Sequence, residues 1–358
     1  MTHIEIKEKR LSNHALTQTP FQTPEDVVSW FGAVQSQDYP GACWALSQRL
    51  NFLSNERIET AFNQGKILRT HVMRPTWHFV TAEDIRWMLE LTGNRVKRMM
   101  GTYNKALGLD DKVFEKSNGI IEKELQDNNY LTRNELGDLL KKHGISWQGN
   151  GLAHIVMYAE LDAIICSGPK KGKQHTYGLV SERAPQAKSM QRDHALKELA
   201  RRYFQSHGPA QLTDFVWWSG LLTTDAKKGI ELHKSMKYEI VDGKTYYFFN
   251  APFHNLTKKI YLLPNYDEYT VAYRDRELLT EHVDKTKLDF RQNSLFNNVI
   301  VIDGKIQGVW RRTIKPKRVE VEARLFRNLN SIEQTQLSSS LEEYAHFLQL
   351  DLGQVKLV

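Results

Sequence analysis

After Thr23 the apolar residues Val27, Val28, Trp30, Phe31 and Val34 recur at helical spacing, and after Thr81 so do Ile85, Trp87, Met88 and Leu91. Each stretch predicts a helix with one buried face. The starts are chemically marked: Thr23 is followed by Pro24 with Asp26 in the first turn, Thr81 is followed by Asp84, and Thr132 forms a Thr-x-x-Glu capping box with Glu135. Between the first two helices lies RTHVMRPTWHFV, Arg69 to Val80, rich in β-branched and aromatic residues and broken by Pro75. That composition predicts a hairpin with an irregular edge. Helices followed by a hairpin are the grammar of a winged helix.

The grammar recurs without sequence identity. Leu131 to Gly168 predicts a short capped helix, a loop and a longer apolar helix, and KKGKQHTYGLV supplies a basic hairpin. A third unit begins near Asp193 with the amphipathic LKELARRYFQSHG, continues with helices over Leu212 to Leu221 and Asp225 to His233, and ends in KYEIVDGKTYYFF around an Asp242-Gly243 hairpin turn. From Lys259 the pattern turns mainly β, through KIYLLP, TVAY, NNVIVIDGKIQGVWRRTI and RVEVEARLF, with a second Asp-Gly turn at Asp303-Gly304 and a final helix from Ser331 to Leu350. The expectation is an α+β fold of tandem winged-helix units, 1–108, 109–186 and 187–257, closed by a β-rich C-terminal domain over 258–358. With no low-complexity linker between them, the units are expected to pack as one rigid body.

Composition narrows the function. The chain has 358 residues, 41% of them hydrophobic, and a net charge of +7 from 49 Lys and Arg against 42 Asp and Glu; this favours a polyanionic partner without requiring one. Its two cysteines, Cys43 and Cys166, lie far apart in apolar settings, which argues against a disulfide framework or a thiolate metal site. The N-terminus is too polar for a signal peptide and no run approaches the ~20 apolar residues that span a bilayer. A cytoplasmic protein with no membrane role is expected. A monomer is expected too, since no heptad seam is present. His-Glu-x-x-His, phosphate-loop, dinucleotide and Gly-x-Ser-x-Gly motifs are absent from the sequence, so neither a metal nor a cofactor is expected.

The candidate chemistry begins at AVQSQDYPG, Ala33 to Gly41, where Gln35 and Gln37 stand two residues apart as a helix gives way to a turn. Such a pair can aim one water, although glutamine is ordinarily solvated or bonded to backbone. Asp38 reads either as a support for an amide or as a turn former. In the first hairpin Arg69, His71, Arg74 and Trp77 are candidates to hold phosphates and stack on bases, with core roles open for His71 and Trp77. Lys170, Lys171 and Lys173, with His175, form the densest basic cluster, suited to tracking a nucleic-acid backbone or simply to solvation. Arg311 and Arg312 open a further basic run on a strand end. Arg274 and Arg276 are interleaved with Asp267, Glu268 and Asp275; an ion-pair network or interdomain clamp is the better reading there than a nuclease metal site. Trp217 and Trp218 are expected in the core.

The strings LSNHAL, TPEDVVSWFGAVQSQDYPGACWALSQRL and ILRTHVMRPTWHFVTAEDIRWML, with LTRNEL at Leu131, GPAQLTDFVWWSGL at Gly208, LPNYDEYTVAYRDR at Leu263 and VIDGKIQGVW at Val301, run over nearly the whole chain. Together they resemble the winged-helix DNA glycosylases of the AlkZ and YcaQ type. The resemblance implies a catalytic Gln-x-Gln motif at Gln35 and Gln37, with Ser36 where a small aliphatic residue is usual. It further implies a monofunctional, metal-independent glycosylase acting on alkylated purines, N7-alkylguanine or bulkier adducts and cross-links, in double-stranded DNA. Two glutamines suit that substrate, because N-alkylation makes the base a cationic leaving group and removes the need for a strong general acid. A non-enzymatic winged-helix DNA-binding regulator is the alternative.

Overall fold

The computed structural model describes residues 1–18, 20–50, 54–250, 259–281, 283 and 298–358. Thr23 caps the helix Pro24–Phe31 through a reciprocal box with Asp26, and Gly32, at φ +83°, ends it. Val34–Gln35 then pairs as an edge strand with Trp77–Thr81, which pairs in turn with Ile67–His71. The hairpin after Arg69 is therefore a three-stranded wing, in which Gln35 lies opposite His78. Asp38 caps the next helix, Tyr39–Ser47, by accepting from the Gly41 N–H.

The second unit repeats the plan. Thr132 and Glu135 form the anticipated box on the helix Arg133–Lys142, the apolar helix Gly151–Leu161 follows, and Ile165–Ser167 pairs with Thr176–Leu179. In the third, helices Arg192–Ser206, Leu212–Ser219 and Thr223–Glu231 precede the hairpin of Lys237–Val241 and Lys244–Phe248. Its turn residues Asp242 and Gly243 both have positive φ, 49° and 74°, as a two-residue hairpin turn matched to strand twist requires. Asp303 and Gly304 repeat this at 49° and 75°. The C-terminal sheet has five strands in the order Asp351–Leu357, Arg318–Leu325, Lys305–Ile314, Asn298–Ile302, Ile260–Leu263. The boundary placed at 257–258 falls outside the described residues.

Three local expectations are corrected. The second predicted helix starts at Ile85 rather than just after Thr81, because the Asp84 side chain is engaged elsewhere: it accepts locally from Thr81 Oγ1 at 2.6 Å and Trp87 Nε1 at 2.9 Å, and binds Nη1 and Nη2 of the distant Arg202. TVAY is not a strand; Asp267 accepts from the Tyr269 N–H at 2.8 Å and nucleates the helical turn Glu268–Val271 against β-branched propensity. The final helix stops at Phe347, and Asp351–Leu357 returns as a strand parallel to Arg318–Leu325.

One apolar core threads the molecule, running from Leu68, Val80 and Ile85 through Cys166 and Val180 to Leu199, Tyr203 and Trp218, and on to Tyr261, Tyr269 and Val299. A second joins the first wing to the C-terminal sheet through Val28, Phe62, Phe79, Ile260, Trp310 and Tyr344. Between them lies a buried ion pair: Arg49 Nη1 and Nη2 reach Asp267 at 2.9 and 2.8 Å, while Arg49 Nε donates to the His14 carbonyl at 3.0 Å. Asp267 thus clamps the first unit to the C-terminal domain through Arg49, while Glu268 meets His207 and Asp275 meets Lys244; no ion pair joins these carboxylates to the interleaved Arg274 or Arg276 among the described residues.

Candidate active site

The two glutamines sit where the edge strand leaves the first wing. The Ser36 N–H continues the ladder to the Trp77 carbonyl at 2.8 Å, and alternation sends Gln35 and Gln37 to one side and Ser36 to the other. Gln35 is 7% exposed and Gln37 is exposed, whereas Ser36 is fully buried with no hydrogen-bond partner for its Oγ among the described residues.

Each amide is oriented by a group that can only donate. Arg74 Nη2 reaches Gln35 Oε1 at 3.4 Å and the Trp77 N–H reaches Gln37 Oε1 at 3.3 Å. Neither donor can accept, so in each amide the atom held by the protein is the carbonyl oxygen. Every carbonyl oxygen keeps a second lone pair. Arg74 Nη2 also meets His78 Nε2 at 3.3 Å, and His78 Nδ1 faces the Thr76 carbonyl at 2.9 Å, an arrangement that requires a neutral imidazole protonated on Nδ1. Burial, then the Arg74 charge, pushes the His78 pKa down to about 3.

That depression has a measurable consequence. Between about pH 6.5 and 3 the unfolded chain binds a proton that folded His78 does not, so stability falls as pH falls, by about 1.4 kcal/mol per unit. His78→Gln is therefore expected to lose about 2 kcal/mol less than the wild type between pH 7 and 5 in urea denaturation. Equal losses in the two proteins would show that His78 does not charge on unfolding.

Behind the glutamines the main chain is held from both sides. Arg69 Nε and Nη2 donate to the Ser36 carbonyl at 3.1 and 3.0 Å, and the Gln35 N–H donates to Glu268 Oε1 at 2.7 Å. Glu268, 1% exposed, also accepts from Trp218 Nε1 at 2.9 Å and His207 Nε2 at 3.3 Å. Burial raises its pKa, but the His207 contact and the Gln35 N–H outweigh this and hold the carboxyl below its ordinary value.

The basic candidates divide in two. Arg69, Trp77 and Lys170 converge: the Arg69 guanidinium lies 4.3 Å from the Trp77 ring and 5.9 Å from the Tyr39 ring, and Lys170 Nζ lies 4.8 Å from that same Tyr39. The first two hairpins thus pack against each other, tied by an Arg69 N–H to Ser167 Oγ bond at 2.8 Å. Arg312, on the C-terminal sheet, lies 3.8 Å from Asp38. Arg276 stands over Trp217 at 5.6 Å and donates to the Thr270 carbonyl. By contrast, His71 is buried against Glu160 and Lys171 is paired with Glu135; Lys170 belongs to both sets, being paired with Glu59 as well, and the main-chain N–H of Arg274 is bonded to Asp214. Lys173 and Arg311 are exposed. Trp218 is fully buried as anticipated; its neighbour Trp217 is 40% exposed.

Sequence reasoning missed Arg133, Glu160 and His207. The Arg133 guanidinium lies 5.3 Å from the Trp77 ring, and Glu160 accepts from Trp77 Nε1 at 3.4 Å. The nearest of these partners is 56 positions from Trp77, and no local pattern marks them. Among the described residues no group of three His, Cys, Asp or Glu is placed to hold a metal, and no helix is long and apolar enough to cross a membrane.

Groups of helices that each lead into a hairpin, followed by a closing sheet, make this a protein of the α+β class, with an arrangement consistent with tandem winged helices. The family model of the AlkZ-like DNA glycosylases matches residues 28–347, and the chain belongs to that family. A curated relative, the interstrand DNA cross-link repair glycosylase of Streptomyces sahachiroi, is 22% identical over 321 residues, 84% of this chain and 85% of the relative. The solved structure of Streptomyces sahachiroi DNA glycosylase AlkZ matches over 100% of both chains, with a TM-score of 0.79 at 18% identity, so the fold is shared.

Proposed function

We propose that this protein is a monofunctional DNA glycosylase that hydrolyses the N-glycosidic bond of N7-alkylated purines in duplex DNA, without a metal, and leaves an abasic site. The observation that carries this reading is the amide pair of Gln35 and Gln37, each met at its carbonyl oxygen by a donor of the first hairpin, in a chain of the AlkZ-like family. One water can accept a hydrogen bond from the Gln35 NH₂ and donate to the remaining lone pair of Gln37 Oε1. Its own second lone pair is then directed at the sugar carbon. The remaining lone pair of Gln37 Oε1 also favours the positive charge that develops as the bond breaks. The relative named for cross-link repair extends the proposed substrates to bulky N7 adducts and interstrand cross-links.

The seam between the first two hairpins is the proposed path of the DNA backbone. Arg69, from the first unit, and Arg133, from the second, both lie against Trp77, and neither has a carboxylate ion-pair partner among the described residues. Phosphate contacts of this kind dominate affinity that is independent of sequence. The protein is proposed to act as a monomer in the cytoplasm.

The direct test is incubation with duplex DNA carrying N7-methylguanine, followed by heating in mild alkali. Strand breaks at the lesion are expected; a DNA-binding regulator gives none. Binding supplies a second test. Lys173→Ala should flatten the salt dependence of affinity by roughly one unit of slope. Lys170→Ala and Lys171→Ala should do less, because Glu59 and Glu135 already neutralise those side chains. Equal affinities and slopes for the wild type and Lys173→Ala would remove that wing from the interface.

A further inference from the structure

The Gln35 main chain occupies an exposed position in its sheet but not in the molecule. Val34–Gln35 is an edge strand, paired on one side only with Trp77–Thr81. An edge leaves N–H groups without ladder partners, and the Gln35 N–H is met at 2.7 Å by a single side chain, Glu268, from the helical turn that follows the C-terminal sheet strand Ile260–Leu263. The opposite oxygen of Glu268 takes Trp218 Nε1 and His207 Nε2 from the third unit. Three donors, one from the first unit and two from the third, therefore converge on one carboxylate that is 1% exposed.

Burying a carboxylate is costly unless it is bonded and balanced. The balancing charge is Arg74, whose own cationic form is penalised by burial and favoured by Glu268. Gln35 lies between the two, with its main-chain N–H on Glu268 and its side-chain carbonyl on Arg74. An arginine alone at this point would oppose the positive charge of an oxocarbenium-like sugar. With Glu268 ionised beneath it, the pair is neutral overall and the amide keeps its orientation.

We infer that Glu268 is a positioning residue for base excision, fixing the backbone of Gln35 and offsetting the charge of Arg74 from beneath the site. The inference rests on the proposed role of Gln35. Glu268 itself is too buried to touch DNA, so its loss should slow the chemical step and leave binding intact.

The test is single-turnover excision of N7-methylguanine from duplex DNA at saturating protein, using Glu268→Gln, Gln35→Ala and the double variant, with duplex affinity and melting measured alongside. Glu268→Gln keeps size and one acceptor but removes the charge. It should excise ~10- to 100-fold more slowly with affinity within about twofold. Because Glu268 acts through Gln35, the double variant should be no more than about threefold slower than Gln35→Ala. Wild-type excision by Glu268→Gln, or losses that multiply in the double variant, would overturn the inference while leaving the glutamine mechanism standing. Wild-type excision by Gln35→Ala would overturn both. If Glu268→Gln does not fold, His207→Leu and His207→Gln decide: the leucine variant should be slow and the glutamine variant, which restores a donor towards Glu268, should recover. Equal rates in those two would overturn the inference.

Discussion

Gln37→Ala and Gln35→Ala are expected to lose roughly ten- to a thousandfold in single-turnover excision of N7-methylguanine while retaining near-native melting and DNA affinity. An amide that directs a water acts mainly in the transition state, whereas one that only supports backbone acts on stability. The surroundings of the two residues favour the first behaviour. Gln37 is exposed and makes one long bond to the Trp77 N–H, so its removal leaves little unsatisfied. Gln35→Ala strands only the weak 3.4 Å contact of Arg74, which keeps His78. Gln37→Glu should be milder than Gln37→Ala, since a carboxylate can accept from the same water and favour the developing cation. Ser36→Ala should be almost neutral, because its hydroxyl is buried without a partner and its main-chain bonds to Trp77 and Arg69 survive. Wild-type excision by both glutamine variants, or failure through unfolding alone, would make the pair structural.

The largest expected loss of stability is at Arg49. Arg49→Ala leaves Asp267 buried without its cation, at 0% side-chain exposure, and uncovers the carbonyls of His14 and Ala45. Breaking one side of such a pair costs about 3–5 kcal/mol, to be read from urea denaturation. Arg49→Met with Asp267→Leu should recover part of that loss, since two apolar side chains leave no buried charge behind. A loss below about 1 kcal/mol for Arg49→Ala, the range of an exposed pair, would show that water reaches Asp267.

The contrast between Asp267 and its neighbours shows where sequence reasoning ends. Alternating and helical apolar patterns, the Thr23 and Thr132 caps and the Asp-Gly turns at 242 and 303 depend on contacts a few residues long, and they were legible from the chain. So was the Gln35 and Gln37 pair, as a spacing and through a resemblance that spans the units. The helix start near Thr81 and the TVAY segment were misread because Asp84 and Asp267 answer to distant partners, Arg202 and Arg49. The directions of the glutamine amides were not legible at all. They are set by Arg74 and by the Trp77 N–H, while the Gln35 main chain is met by Glu268, 233 positions away. Local pattern determined which segments become helices and wings, because hydrogen bonding and amphipathic burial over one or two turns suffice for that. Only the tertiary structure decided which charges are buried together and which remain for DNA, because desolvation, which prices every charged group, is a property of the assembled core.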